Sequence, residues 1–157
     1  MKKIFVLVFA MLLIVNLPFN IPFFYNTVHK TSEAVYSFYV LDDVKSEPYF
    51  TLINNGGLGT VIRCNVKNSI KVKRKLNSIV GESISFFANR KKAISFISIY
   101  KAKLVKTEQI QDNIYIMYAY TNKFPYCILL DNKKINLQIV YSNGVVTLGT
   151  PVILGDY

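Results

Sequence analysis

Tryptophan is absent from this chain of 157 residues, and histidine occurs once, at His29. His29 follows an apolar N-terminal run and precedes the predicted domain. It is therefore poorly placed to act as the base of a Ser–His or Cys–His pair inside the fold. The two cysteines form no CxxC motif, so neither a redox motif nor a cysteine zinc site is indicated. From these absences we predict no catalytic residue, no metal site and no cofactor.

Acidic residues are also scarce, nine against nineteen lysines and arginines. Their only cluster, Asp42, Asp43 and Glu47, lacks the further oxygen ligands that a calcium or glycosidase site requires. The segment Asn55-Gly56-Gly57-Leu58-Gly59 has the glycines of a phosphate loop, but no Lys-Ser/Thr pair ends it and a predicted strand follows. Enzymatic activity is therefore the least favoured class of function.

The overall composition predicts one folded domain. Hydrophobic residues make up 52% and charged residues 18%, with a mean hydropathy of +0.29, which fits neither a disordered chain nor a multi-span membrane protein. A chain of this length accommodates one domain and a small appendage. Aromatic residues reach 14%, all of them Phe or Tyr, and favour a protein rich in β-sheet.

The N-terminus has the pattern of an export signal. Lys2 and Lys3 precede the uncharged apolar run Ile4–Val15, which is apolar on every face and therefore does not resemble an amphipathic core helix. The lysine pair is expected to stay on the cytoplasmic side, so the rest of the chain faces outward. We predict that residues 1–30 are a signal peptide or signal anchor and that the protein is extracytoplasmic, either secreted or anchored to the membrane.

Cleavage and retention of this segment are both open. Ser32-Glu33-Ala34 has the small-x-small form of a signal peptidase site but lies far beyond the apolar run. The run itself is short for a spanning helix, and Pro18 and Pro22 interrupt its extension. In an uncleaved anchor, the aromatic residues 23–25 would form an interfacial collar.

The sequence also leaves open whether the two cysteines, Cys64 and Cys127, form a disulfide or remain free thiols. An oxidising compartment permits one disulfide between them, which would close a long loop. Two buried thiols on strands, acting as small hydrophobic residues, are the favoured alternative.

The remainder, residues 35–157, is predicted to be a single α+β domain, with two helices packed on one face of a mostly antiparallel sheet and an apolar helix ahead of it. The helices are expected over Asn68–Val80, capped by Gly81, and from Asn89 through Tyr100. Residues 31–43 form an amphipathic stretch of undecided type. Strands are expected at Tyr49–Ile53, Thr60–Val66, Ser83–Phe87, Leu104–Ile110, Ile114–Tyr120, Tyr126–Leu130, Ile135–Tyr141 and Val145–Leu148, the first two as a hairpin and the last five as a meander.

Positive charge is concentrated in the segment that contains both helices. From Arg63 to Lys106 there are twelve basic residues and one acid, Glu82, a net charge of +11. The rest of the chain has seven basic and eight acidic residues, a net charge of −1. Three cations in the first turn of the second helix oppose its macrodipole, which favours a nearby anion. The predicted anion-binding residues are Lys67, Lys71, Arg74, Lys75, Arg90, Lys91 and Lys92.

The C-terminal residues resemble a known family. Asn136-Leu137-Gln138-Ile139, then Gly149-Thr150-Pro151-Val152-Ile153 and the terminal Tyr157, are similar to the ending of the YwmB-type exported proteins of spore-forming Gram-positive bacteria. The resemblance covers about the last twenty residues. It implies an α+β domain with a TATA-box-binding-protein-like fold and an exported chain, and it supplies no catalytic residues.

The leading hypothesis is a non-enzymatic envelope protein whose basic two-helix face binds an anionic envelope component or the membrane surface. A role in sporulation is part of this hypothesis. The alternative is a protein–protein interaction module that uses a sheet edge or an apolar face. Export argues against nucleic acid as the partner. The sequence leaves the oligomeric state open.

Overall fold

The computed structural model describes residues 21–28, 33–54, 59–111 and 113–154. The predicted N-terminal apolar helix, His29 and most of the glycine-rich turn lie outside these ranges. Three helices are described, α1 (Tyr25–Val28), α2 (Val66–Lys73) and α3 (Arg90–Ile99). The strands are β1 (Val35–Val40), β2 (Thr51–Asn54), β3 (Thr60–Asn65), β4 (Ile79–Phe87), β5 (Lys103–Gln111), β6 (Ile114–Tyr120), β7 (Ile128–Leu130), β8 (Lys133–Ile135), β9 (Leu137–Ser142) and β10 (Val145–Thr150). None of the helices in the described ranges is long and apolar enough to span a bilayer.

Eight strands form one sheet in the order β2-β3-β1-β4-β10-β9-β6-β5, and every neighbouring pair is antiparallel. The two remaining strands, β7 and β8, pair only with each other. The predicted α+β class with a large antiparallel sheet is therefore confirmed.

The strand order explains why α2 and α3 share a face. Because all neighbours are antiparallel, β3, β4 and β5 run in the same direction, so α2 connects β3 to β4 and α3 connects β4 to β5 as crossovers. Both crossovers advance in the same direction across the sheet, and crossovers of one hand then place their helices on the same side. Val72 of α2 and Phe96 of α3 are fully buried in one common core.

The side chains of each strand point alternately to the two faces of the sheet, and those on one face form the part of the core that the sheet contributes. Tyr36 and Phe38 of β1 pair with Cys64 and Ile62 of β3, and all four side chains are buried. The same face continues through β4, β10 and β9 as Ile84, Leu148 and Ile139, which oppose one another across the strands. A period of two thus directs one apolar row of each strand toward the helices.

The first long helix is shorter than its apolar spacing predicts. It ends at Lys73, and the predicted helical residues Ile79 and Val80 begin β4, where Ile79 pairs with Val40. Ser78 takes a left-handed conformation with φ of 53° that separates the two elements. Two consecutive β-branched residues fit a pleated strand better than a last helical turn, so pairing overrides the helical spacing. Gly81 consequently lies inside β4 instead of capping the helix.

The meander is also interrupted. The expected strand at 126–130 is reduced to β7, and the expected strand at 135–141 is divided into β8 and β9. The buried side chain of Asn136 lies at the division. Its oxygen accepts a hydrogen bond from the Thr121 amide at 2.8 Å, and its amide nitrogen donates to the carbonyl oxygens of Thr121 and Phe124 at 2.8 and 3.1 Å. These bonds satisfy the loop backbone and direct the chain out of the main sheet.

The two cysteines are both free, so the disulfide allowed by their even number is not formed. Cys64 is buried on β3, and this burial raises the pKa of its thiol to about 12. Cys127 is exposed and lies outside the strands, so the alternative of two buried strand thiols holds only for Cys64.

Labelling with a thiol reagent tests this assignment. We expect one reactive thiol in the native protein and two after denaturation without reductant, because a buried thiol with a raised pKa supplies little thiolate. The Cys127→Ser variant should lose native labelling, and Cys64→Ser should keep it. A native mass two hydrogens lighter, with no reactive thiol before reduction, would contradict the assignment.

Candidate functional site

Helix α2 presents the first group of predicted cations. Its N-cap, Asn65, accepts a hydrogen bond from the backbone amide of Asn68 at 3.0 Å. The residues that face the sheet, Val66, Ser69 and Val72, are buried at helical spacing. The intervening cations are exposed, namely Lys67 and Lys71 within the helix and Arg74 and Lys75 at its end.

Two of these cations already interact with the loop ahead of β2. The ammonium nitrogen of Lys71 lies 3.8 Å from the ring centroid of Tyr49, and that of Lys75 lies 5.2 Å from it. Lys75 also forms an ion pair of 2.6 Å with Glu47, and this hydrogen bond lowers the pKa of the Glu47 carboxyl group. Because the pair is largely exposed, its contribution to stability is small.

Arg90, Lys91 and Lys92 are exposed in the first turn of α3. The side chain of Asn89 caps the helix by accepting from the Lys92 amide at 2.9 Å. The guanidinium of Arg90 lies 4.1 Å from the Tyr115 ring centroid. A cap and a cation–π contact offset part of the unfavourable interaction with the macrodipole, so the charge arrangement alone does not require an anion.

The seven predicted residues form two groups rather than one continuous face. Asn65 of β3 and Ser85 of β4 both lie opposite Val35, so α2 and α3 begin at the same end of the sheet. Lys67 lies at that end with the three cations of α3. The other group is formed by Arg74 and Lys75 at the opposite end of α2 and by Lys71, which contacts the same Tyr49 ring as Lys75. Helix α1 packs against α2, and its Thr27 hydroxyl lies 2.5 Å from the hydroxyl of Tyr100, which follows α3.

Lys73 has a different environment from the other cations of α2. It is buried, with 7% of its side chain exposed, and its ammonium nitrogen lies 2.5 Å from Oε1 of Glu82, whose side chain is 2% exposed. The same nitrogen donates to the carbonyl oxygen of Ile21 at 3.1 Å and lies 4.3 Å from the Phe23 ring centroid. The only acid of the basic segment is thus paired inside the protein.

The second oxygen of Glu82 completes a buried network. Oε2 accepts from the Tyr36 hydroxyl at 2.7 Å and from the Phe23 amide at 3.0 Å. The Tyr36 hydroxyl in turn accepts from the Phe24 amide at 3.2 Å. Burial, with the adjacent Glu82 charge second, raises the pKa of Tyr36 well above its usual range, so the hydroxyl remains a donor.

This network fixes the backbone of Ile21–Val28 on the domain, and aromatic packing adds to it. Phe24 is fully buried, with its ring centroid 5.9 Å from that of Tyr100 and 5.4 Å from that of Phe124. The Phe23 ring lies 5.4 Å from the Phe124 ring. Two of the residues predicted for an interfacial collar therefore pack on the domain, ahead of its predicted start at residue 35.

A cavity of about 160 Å³ adjoins the ion pair. Lys73 and Glu82 line one side, and Val80, Tyr126 and Pro151 contribute apolar walls. The Lys73 ammonium group and both Glu82 oxygens already have hydrogen-bond partners, two of which are backbone groups of residues 21 and 23. The ion pair therefore acts as a structural clamp that holds residues 21–28 on the domain.

Sequence reasoning found the exposed cations but not this clamp. Glu82 was recognisable as the one acid in a strongly basic segment, inside the otherwise uncharged strand β4. Its partner among twelve cations was not identifiable, because the predicted helix extended seven residues beyond the actual end of α2 at Lys73.

No protein-family model and no curated protein matches this chain. The similarity to the YwmB-type ending therefore stays a prediction.

Replacing Lys73 by Met should destabilise the protein by about 3–5 kcal/mol, because it leaves the buried Glu82 carboxylate without its counter-ion. The change is measured by chemical unfolding followed through tyrosine fluorescence. Arg74→Met is the matched control, since it removes an exposed cation from the next position and should change stability by about 0.5 kcal/mol or less. Equal losses in the two variants would contradict the assignment of Lys73 to the interior.

Proposed function

We propose that this chain is a non-enzymatic envelope protein, exported and held at the membrane by its N-terminal segment, that binds an anionic partner through the exposed cations of α2 and α3. The observation that supports this most strongly is the separation of charge within Arg63–Lys106. Its one acid is buried, and all seven predicted anion-binding cations are exposed.

The buried pair leaves the outward charge of this segment unchanged. Lys73 and Glu82 neutralise each other in the interior. The other eleven basic residues of Arg63–Lys106 therefore have no acidic residue in the same segment to balance their charge. Within the described part of the chain, the one ion pair made by any of the seven cations is that of Lys75 with Glu47. A concentration of unpaired like charge raises the local density of anions and accelerates their association.

The packing of residues 21–28 supports an uncleaved anchor over a signal peptide cut near residue 30. Cleavage after Ala34 would remove Phe24 from the core and three backbone partners, those of residues 21, 23 and 24, from the network. A buried ion pair that has lost surrounding hydrogen bonds is costly. Retention keeps both the fold and the membrane attachment.

Charge reversal tests the proposal. The variant Lys67→Glu/Lys91→Glu/Lys92→Glu reverses exposed cations of both helices and should bind isolated envelopes at least about tenfold more weakly than the wild type, since each cation near an anionic surface contributes about 1 kcal/mol. Binding is measured by co-sedimentation at about 0.05 and about 0.5 M NaCl, where screening by the higher salt should release the wild type.

The matched control reverses Lys45, Lys133 and Lys134, which are exposed and lie outside the basic segment. This control has the same net charge as the test variant and should keep most of the binding. Equal weakening of both variants would show that only net charge matters, and unchanged binding of the test variant would overturn the proposal. Binding that survives high salt would favour the alternative, a protein–protein contact through a sheet edge or apolar face.

A further inference from the structure

Exposed apolar side chains gather at the end of the sheet where residues 21–28 enter the domain. Val80 and Tyr126 line one cavity there and are 38% and 63% exposed. Leu154, 39% exposed, approaches Gly81, with Cδ1 3.6 Å from the position that a Cβ would take on that glycine. Ile21, 41% exposed, is held beside this cavity through its carbonyl bond to Lys73. We call Ile21, Val80, Tyr126 and Leu154 the anchor end.

Scattered single apolar residues on a surface need no explanation, but a cluster at the point of membrane attachment does. Val15, the last residue of the apolar run, stands six residues before Ile21. Six residues span at most about 21 Å even when fully extended. If Ile4–Val15 is held in a bilayer, the anchor end is therefore the part of the domain tethered closest to it.

On the α2 side of the anchor end, positive and negative charges nearly balance, whereas exposed Lys101 and Lys103 lie at the same end of the sheet beside its β5 edge. A neighbouring cavity is lined by two cations, Lys45 and Lys75, and by three acids, Asp42, Asp43 and Glu47. These acids offset the cations at this end of α2, so anionic headgroups gain little there. Tyr126 combines an apolar ring with a polar hydroxyl, which suits the boundary between headgroups and acyl chains.

We infer that the anchor end rests on the lipid bilayer in which the N-terminal segment is anchored, with Ile21, Val80, Tyr126 and Leu154 contacting lipid. This inference rests on the proposed uncleaved anchor. It also fixes the orientation of the domain, because the opposite end then points away from the membrane.

The orientation selects among the anionic partners. Strand β4 runs from Ile79 at the anchor end to Phe87 beside the start of α3, eight rises of about 3.3 Å, or about 26 Å. The Debye length at physiological salt is about 8 Å, so Arg90–Lys92 are screened from the headgroups beneath the domain. The cations of α3, with Lys67, are therefore presented to an anionic envelope component beyond the membrane surface.

The absence of tryptophan makes a direct test available. Tyr126→Trp and Phe87→Trp each introduce a single tryptophan at an exposed aromatic position, 63% and 72% exposed, at opposite ends of the sheet. The full-length variants are reconstituted into phosphatidylcholine vesicles with and without brominated acyl chains, and intact mass verifies the N-terminus. Tyr126→Trp should give a blue-shifted emission that brominated lipid quenches, whereas the emission of Phe87→Trp should stay unquenched.

Leu154→Trp provides a second reading of the anchor end and should behave like Tyr126→Trp. Quenching of Phe87→Trp alone, equal quenching at both ends, or no quenching at either end would overturn the orientation. Adding Lys67→Glu/Lys91→Glu/Lys92→Glu to the Tyr126→Trp variant should leave its quenching unchanged, because these cations lie at the opposite end of the domain. Co-sedimentation therefore reports the loss of envelope binding, and quenching by brominated lipid separately reports the loss of orientation.

Discussion

The buried ion pair between Lys73 and Glu82 is the interaction on which the arrangement of this protein depends. Moving two charges out of water costs several kcal/mol per ion, and their attraction offsets this only when further hydrogen bonds satisfy both groups. Tyr36 and the backbone of residues 21 and 23 provide those bonds. The end of α2, the start of β4 and residues 21–28 are therefore fixed relative to one another, and displacing any one of them would leave a charge poorly solvated.

The same interaction distinguishes Lys73, a buried structural cation, from the exposed cations of α2. Lys73 faces the interior because it stands one residue after Val72, whose side chain packs on the sheet, and its stem reaches Glu82. Its neighbours on the other side of α2 stay in water. The pair thus removes the only acid of Arg63–Lys106 from the surface, and it also fixes residues 21–28 on the domain.

Hydrophobic periodicity and helix-capping residues predicted much of the fold, but they did not predict the clamp that Lys73 and Glu82 form on residues 21–28. Asn89 was recognised as the N-cap of α3, and β6 was placed at its observed bounds, because both signals are local. The end of α2 was misplaced because Ile79 and Val80 fit helical spacing until pairing with β1 decides otherwise. Residues 23–25 were interpreted as an interfacial collar of an uncleaved anchor. The residues that Phe23 and Phe24 contact, namely Tyr36, Glu82 and Tyr100, are distant in sequence, so the local pattern did not indicate them.

Native-state hydrogen exchange of the full-length protein tests the central claim most directly. The amides of Phe23 and Phe24 donate to the side chains of Glu82 and Tyr36, although they lie outside any sheet. The account predicts protection of these two amides comparable to that of β4, because releasing them requires the buried pair to open. Exchange at the rate of an unstructured chain, while β4 stays protected, would show that residues 21–28 are not part of the folded domain and would contradict the account.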